Sequence, residues 1–315
     1  MEFAVFDLHC DTALALLGDD FRQCGSLRSN AYHIDLERAS KLPGYVQCFA
    51  CFTTEPWFDS TAPVEIFERE MASVLRELDR NQDLMRQAFS AADIESNRKS
   101  GLMSAILTIE GPAGFGYDPA LLEDLYNVGF RISTLGWNER NPLAGSNVTG
   151  GGLTEQGAEY IKEAQRLGMI IDVSHISDEA FWKIMDITQA PIVATHSNSR
   201  ACFDCNRNLT DDMFLQICKT GGVTGINLYS GFLGERPDLN TVCDHILHFL
   251  ELDPVGEHVA LGGDLDGCEV LPSGFSGVQD YPKLADALLN RGVGEQIVKN
   301  IFWNNAMGVM KRCCM

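Results

Sequence analysis

The sequence lacks the features that mark membrane-spanning and nucleic-acid-binding proteins. No stretch approaches the roughly 18 uninterrupted apolar residues of a membrane-spanning helix, and no run of basic residues occurs. Basic residues are few, 24 against 44 acidic ones, and the formal net charge is −20. A field of that sign repels phosphate backbones and anionic lipid headgroups, so we expect neither nucleic acid nor a membrane surface as a partner.

Linkers and targeting signals are also absent. The chain contains no low-complexity segment, charge block or Pro/Ser-rich linker, which favours a single domain over residues 1–315. Its first twenty residues have no basic segment, and Asp7, His9 and Asp11 interrupt the apolar ones. We therefore expect no signal peptide and a cytoplasmic protein.

Cysteine, by contrast, is abundant, with 11 residues scattered along the chain. Several, such as Cys48 and Cys51, lie in apolar, strand-like runs, which is typical of buried, reduced thiols in a cytosolic chain. Cys202 and Cys205 form a C-x-x-C motif. Without a second such pair or a βαβ redox context, this motif is weak evidence of a metal or redox site.

The main pattern is the alternation of short apolar, β-branched runs with helical stretches. Near-continuous apolar runs of this length are typical of strands buried on both faces, as in a parallel sheet. The eight predicted strands are Phe3–Leu8, Tyr45–Phe52, Ser104–Ile109, Arg131–Leu135, Met169–Val173, Ile192–Thr195, Val223–Asn227 and Val259–Gly263. The predicted helices are Pro63–Phe89, Thr154–Leu167, Asp178–Ile187, Asp211–Lys219, Asp280–Asn290 and Glu295–Asn300. Eight strands alternating with helices predict a single (β/α)₈ barrel of the TIM type.

Polar side chains with metal-binding chemistry follow five of the predicted strands. In such barrels the functional residues gather at the carboxyl ends of the strands. The residues at these ends are His9 and Asp11, Glu110, His175, His196 and Asp264. A single histidine here is more typical of a hydrogen-bonded core residue, and one H-x-D alone is weak evidence of a metal site. Three histidines and two carboxylates at one barrel mouth would, however, be costly to bury without a cation.

Five ligands exceed what one tetrahedral zinc with an open position requires. They suit two divalent ions that share one bridging carboxylate and lie roughly 3.5–4 Å apart. Imidazole nitrogen and carboxylate oxygen are donors that Zn²⁺ and neighbouring divalent ions accept. The sequence therefore predicts a two-metal site, with zinc as the expected ion.

The same segments resemble the membrane (renal-type) dipeptidase family, peptidase family M19, among the amidohydrolase-like barrels. The resemblance runs nearly end to end through seven motifs in order. They are HCD, HIDLERASKLPGYVQCFACF, TIEG, DVSH, THSNSR with RNLTDD, GGDLDG and IFWNNAMGVM. It implies that His9 and Asp11 bind one zinc and His175 and His196 the other, with Glu110 bridging the two.

The resemblance also implies roles in catalysis and substrate binding. Asp264, the first aspartate of GGDLDG, matches the acid/base that takes a proton from the attacking hydroxide and returns one to the leaving amine. Asp266 is expected to cap the turn. Arg207 matches the arginine that binds the substrate's terminal carboxylate through a two-pronged hydrogen bond. Tyr229 lies near a position that lines the family's pocket, with plain packing as the alternative.

One residue departs from the renal-type pattern. Trp137 stands where those members have a histidine that polarises the scissile carbonyl. An indole N–H donates one hydrogen bond but carries no charge and transfers no proton. We expect Trp137 to shape the substrate pocket, with Asn138 or Asn141 supplying a donor.

These observations predict zinc-dependent hydrolysis of dipeptides, including those with a C-terminal D-residue, by a hydroxide held between the two ions. The resemblance also implies a homodimer. Two alternatives stay open: another metal-dependent amidohydrolase on the same barrel, such as a deaminase or lactonase, or a catalytically inert binding protein on this scaffold.

Overall fold

The computed structural model describes residues 3–18, 25–54 and 61–314. Its strands are β1 (Val5–Cys10), β2 (Tyr45–Phe52), β3 (Met85–Gln87), β4 (Met103–Glu110), β5 (Phe130–Thr134), β6 (Ala144–Ser146), β7 (Gly150–Leu153), β8 (Ile170–Asp172), β9 (Ile192–Val193), β10 (Thr224–Ile226) and β11 (Val259–Leu261). Eight of them pair in the order β10-β11-β1-β2-β4-β5-β8-β9, all in parallel. A parallel bridge between Ala194 and Thr224 joins the two end strands, so the sheet closes into the predicted TIM-type barrel.

Helices alternate with these strands along the chain. They are α1 (Thr12–Ala15), α2 (Leu36–Ala39), α3 (Pro63–Arg80), α4 (Ala91–Lys99), α5 (Leu122–Val128), α6 (Glu155–Leu167), α7 (Asp178–Ile187), α8 (Asp211–Thr220), α9 (Ser230–Leu233), α10 (Leu239–Leu252), α11 (Tyr281–Asn290), α12 (Glu295–Lys299) and α13 (Asn305–Cys313). The hydroxyls of Thr154, Ser177 and Thr210 accept backbone N–H bonds at the starts of α6, α7 and α8. Gly168 ends α6 in the left-handed conformation, which glycine adopts at little cost. These predicted helix ends are confirmed.

The predicted helix Pro63–Phe89 is wrong in its last third. Helix α3 ends at Arg80, where Asn81 leaves the helical conformation and donates its side-chain amide to the Glu77 carbonyl. Residues Met85–Gln87 instead form β3, which pairs in parallel with the start of β4. The apolar spacing continues through this segment, but pairing with a neighbouring strand satisfies its backbone groups and overrides the helical pattern.

The barrel interior is filled by alternate side chains from its strands, as the two-residue period of a strand requires. One buried cluster includes Phe6, Val46, Ile106 and Ile132, together with Met307 of α13. The described cysteines are unpaired thiols, most of them buried, as expected. No helix in the described part of the chain is long and apolar enough to cross a membrane.

Candidate metal centre

The structure brings the predicted ligands together at the carboxyl ends of the barrel strands. Two groups place their ligand atoms within 4.8 Å of one another: His9, Glu110 and His196, and His9, Asp11 and Asp264. The shared member, His9, lies on β1, where one extra residue relative to β2 interrupts the pairing between Asp7 and Cys10. Such a bulge re-aims a side chain.

Glu110 occupies the middle of the cluster as the last residue of β4. Its Oε2 lies 3.2 Å from His9 Nε2, whereas its Oε1 lies 3.0 Å from His175 Nε2 and 3.6 Å from His196 Nε2. Burial alone would raise the pKa of Glu110, but the histidines His9, His175 and His196 hold it well below its usual range. One oxygen of the ionised Glu110 carboxylate thus faces His9, and the other faces His175 and His196.

His175 and His196 place their Nε2 atoms beside this carboxylate. They lie three residues beyond the ends of β8 and β9, and their Nε2 atoms are 3.0 Å apart. His175 Nδ1 contacts the Asn138 side-chain oxygen at 3.1 Å, and donation of the Nδ1 proton to that oxygen leaves Nε2 with its lone pair. Burial lowers the pKa of His175 to about 4 and that of His196 to about 3. Two neutral rings with their Nε2 atoms converging are arranged as metal ligands.

His9 and Asp11 form the other side of the cluster. His9 Nε2 is buried and forms no hydrogen bond with any described residue, and Asp11 Oδ2 lies 3.7 Å from it. Burial raises the pKa of Asp11 well above its usual range, and the Glu110 charge raises it further. An imidazole nitrogen without a hydrogen bond beside crowded carboxylates is stabilised by a bound cation. The imidazole and carboxylate groups of this cluster therefore fit a divalent metal.

Asp264 lies beside the His9 half of the cluster. Its Oδ1 is 3.7 Å from His9 Nε2, and its Oδ2 accepts a hydrogen bond from Asn227 Nδ2 at 2.9 Å. Asp264, Asp266 and His175 all adopt left-handed backbone conformations, with φ of 55°, 70° and 68°. Non-glycine residues in this region cost about 1–3 kcal/mol each and cluster at functional sites. The backbone strain therefore lies at one candidate ligand, His175, and at the two aspartates of the GGDLDG motif.

A cavity of about 820 Å³ opens over the cluster. Trp137 and Tyr229 both line it. Trp137 packs edge-on against Phe52 at 5.1 Å between ring centroids, and Tyr229 packs edge-on against Phe232 at 4.8 Å. The cavity thus has two aromatic walls, which suit the apolar part of a small ligand.

Of the two asparagines that follow Trp137, only Asn138 lines this cavity. Asn141 is turned into its own loop, where its side chain bonds the backbone of Leu135, Leu143 and Ala144. Asn138 is therefore the nearer polar group, and its oxygen is already engaged by His175.

Arg207 lies behind the cavity wall rather than among its lining residues. It is buried, its Nη1 and Nη2 donate to Ser197 Oγ and to the His196 carbonyl, and its Cζ lies 5.3 Å from the centre of the Phe232 ring. Its Nε is buried without a hydrogen-bond partner in the described part of the chain. Arg207 and His175 both line a small second pocket of about 10 Å³. The guanidinium is thus close to the cluster and retains a free donor.

Comparison with known proteins shows the family of this chain. Residues 1–314 match the model of the membrane dipeptidase family, peptidase family M19. The chain belongs to the M19 family of metallo-dipeptidases. The resemblance inferred from the sequence motifs is therefore confirmed, and so is the enzyme class.

Individual M19 relatives are moderately similar to this chain. An uncharacterized dipeptidase of Schizosaccharomyces pombe is 33% identical over 216 residues, which cover 66% of this chain and 53% of that protein. The match therefore spans about half the length of that relative. A second dipeptidase of S. pombe is 32% identical over 301 residues, 89% of this chain and 72% of its own. The solved dipeptidase AC, an M19 metallopeptidase, superposes with a TM-score of 0.89 at 26% identity, covering 100% of this chain and 99% of its own.

Sequence reasoning missed Asn227, and it named Asn138 only as a donor in the substrate pocket, not as the partner of His175. The contacts of these two loop residues join segments that are far apart along the chain. Asp266 does more than cap a turn, because it accepts hydrogen bonds from Thr12 Oγ1 at 2.6 Å and from the His33 backbone at 2.5 Å. It therefore ties two distant loops to the barrel mouth.

Proposed function

We propose that this chain hydrolyses dipeptides with two divalent ions, most naturally zinc, bound at the barrel mouth. The observation that carries the proposal is the position of Glu110, whose Oε2 faces His9 and whose Oε1 faces His175 and His196. A carboxylate shared in this way suits two ions a few ångströms apart. The proposed ligands are His9, Asp11, Glu110, His175 and His196.

The bound ions would supply Lewis-acid polarisation of the scissile carbonyl and an acidified water, that is, a bridging hydroxide, as the nucleophile. Asp264 then serves as the proton carrier. Asn227 holds its Oδ2, so Oδ1 remains turned toward His9 and the cluster, free to accept a proton and to release it to the leaving amine. Because Trp137 carries no transferable proton, we assign it to shaping the cavity rather than to proton transfer.

The guanidinium of Arg207 favours a substrate that ends in a carboxylate. Its guanidinium is buried, and no described carboxylate pairs with it, which leaves an unsatisfied donor near the cluster. A substrate carboxylate that reaches Arg207 past the cavity wall would satisfy that donor through a charge-assisted hydrogen bond. This observation favours free dipeptides, of L-L or L-D configuration, over the ring substrates of a deaminase or lactonase. A cytoplasmic homodimer stays a prediction from sequence.

The test is metal content measured together with turnover. We expect elemental analysis to find two ions per chain in the active protein and a panel of L-L and L-D dipeptides to include substrates. His196→Ala should lose at least one ion, whereas His248→Ala, a surface histidine paired with Asp211, should keep both. A protein that hydrolyses dipeptides with a single ion per chain would contradict the bridging role of Glu110.

A further inference from the structure

Another carboxylate, that of Asp172, is linked to the cluster only through the neighbouring residues Ser174 and Thr195, and it pairs with no proposed ligand. It is the last residue of β8 and is buried. Its Oδ1 accepts the backbone N–H groups of Ser174 and Thr195, both at 2.9 Å, and its Oδ2 accepts the Thr195 hydroxyl. Three donors converging on one side chain are the arrangement of an ionised carboxylate acting only as an acceptor.

The Thr195 hydroxyl links Asp172 to His196 by hydrogen bonds, and so the acceptor role of Asp172 fixes the direction of the bond to His196. A hydroxyl has one proton, and Thr195 directs it at Asp172. The contact of 2.8 Å between Thr195 Oγ1 and His196 Nδ1 therefore has the ring nitrogen as its donor. With the proton on Nδ1, Nε2 carries a lone pair, and it faces Glu110 Oε1. The His9 ring stacks on the His196 ring at 3.8 Å and restricts its orientation.

The same network holds the His175 loop. Ser174 precedes His175, is anchored by Asp172, and accepts the His196 backbone N–H through its hydroxyl at 3.2 Å. His175 itself has a left-handed backbone, which must be imposed by its surroundings. One buried carboxylate thus ties together the two loops whose histidines converge on Glu110.

We propose that Asp172 and Thr195 are positioning residues that set the tautomer of His196 and thereby the affinity of the nearby metal site. This inference rests on the proposed function, because it takes His196 to be a metal ligand. Partners that orient a ligating histidine are worth about 10–100-fold in metal affinity.

The test is a zinc titration of the metal-free protein against a chromophoric chelator. Thr195→Val keeps the side-chain shape and removes the hydroxyl, so we expect about 10–100-fold weaker binding of one ion. Thr195→Ser restores the hydroxyl and should recover most of that loss. Asp172→Asn should be at least as damaging, because its amide donates to Thr195 and turns the hydroxyl proton toward His196. That reversal places the imidazole proton on Nε2, where ¹⁵N–¹H spectra of the metal-free protein would detect it.

Thr224→Val is the matched control, since the Thr224 hydroxyl is equally buried but has no hydrogen-bond partner in the described residues. It should bind both ions as the wild type does. If Thr195→Val also binds both ions normally, or Thr195→Ser fails to recover affinity, the positioning role is wrong. If His196→Ala keeps both ions, the proposed metal site itself is wrong. Loss of an ion in His196→Ala with none in Thr195→Val overturns this inference alone.

Discussion

Replacing Asp264 by asparagine separates proton transfer from metal binding. In the native site Asn227 donates to Asp264 Oδ2 at 2.9 Å, and Oδ1 lies 3.7 Å from His9 Nε2. An asparagine at this position must turn its oxygen toward the Asn227 amide, because two N–H donors repel each other. Its own NH₂ group then replaces Oδ1 beside the cluster, and an acceptor becomes a donor.

The expected loss in turnover is the usual contribution of a positioned acid–base group, about 10²–10⁴-fold. That range equals about 2.7–5.4 kcal/mol of transition-state stabilisation, at 1.36 kcal/mol for each factor of ten. All five proposed ligands remain in the variant, so both ions should stay bound. KM should change little, because Arg207 and the aromatic walls are untouched.

The assay measures kcat and KM for the best dipeptide of the panel, with metal content determined on the same preparation. Loss of an ion from Asp264→Asn would show that Asp264 is a metal ligand and not the acid/base. Metal content must be measured because Asp264 lies in one group with His9 and Asp11. Near-normal kcat with both ions bound would refute the proton-transfer role outright.

Three further predictions concern neighbouring groups. Glu110→Gln keeps the shape of the side chain but removes the charge shared between the two halves of the cluster. Elemental analysis should then find one or both ions lost, and most of the activity should be lost with them. Near-normal turnover would contradict this prediction. Arg207→Ala should reduce kcat/KM for free dipeptides. The expected loss of transition-state stabilisation is about 1.5–3 kcal/mol, the contribution of a hydrogen bond to a charged group. Dipeptide amides should be poor substrates for the wild type and little changed in that variant, and equal wild-type efficiency on acids and amides would remove Arg207 from the site. Asp266→Asn should lower the thermal stability of the protein and leave kcat largely unchanged, because Asp266 holds Thr12 and His33 at the barrel mouth. A variant that is stable but inactive would identify Asp266 as the acid/base.

The fold was predictable because each barrel strand is marked locally. Strands β2 and β4 are buried along their whole length, and their sequences are apolar almost without interruption. Helix caps such as Thr154 act on backbone groups three residues away, so their signal is also local. The prediction failed at Met85–Gln87, where helical spacing continues but a partner strand distant in sequence decides the structure.

The candidate ligands were predictable for a related reason. A barrel places the carboxyl ends of its strands at one mouth, so residues at those ends converge however far apart they lie in the sequence. His9, Glu110, His175 and His196 are brought together in this way, although the last two lie three residues beyond their strands. The chemistry of the donors and the order of the strands were sufficient to predict their proximity.

The sequence by itself therefore determined the barrel, the set of candidate ligands and the family, because these depend on local patterns and on strand order. Only the tertiary structure decided which oxygen of Glu110 faces which histidine, that Arg207 lies behind the cavity wall, and that Asp172 reaches His196 through Thr195. These features depend on distances of about 3 Å between side chains on different loops. The φ angles and rotamers that set such distances are imposed by packing across the barrel, and no local sequence pattern encodes them.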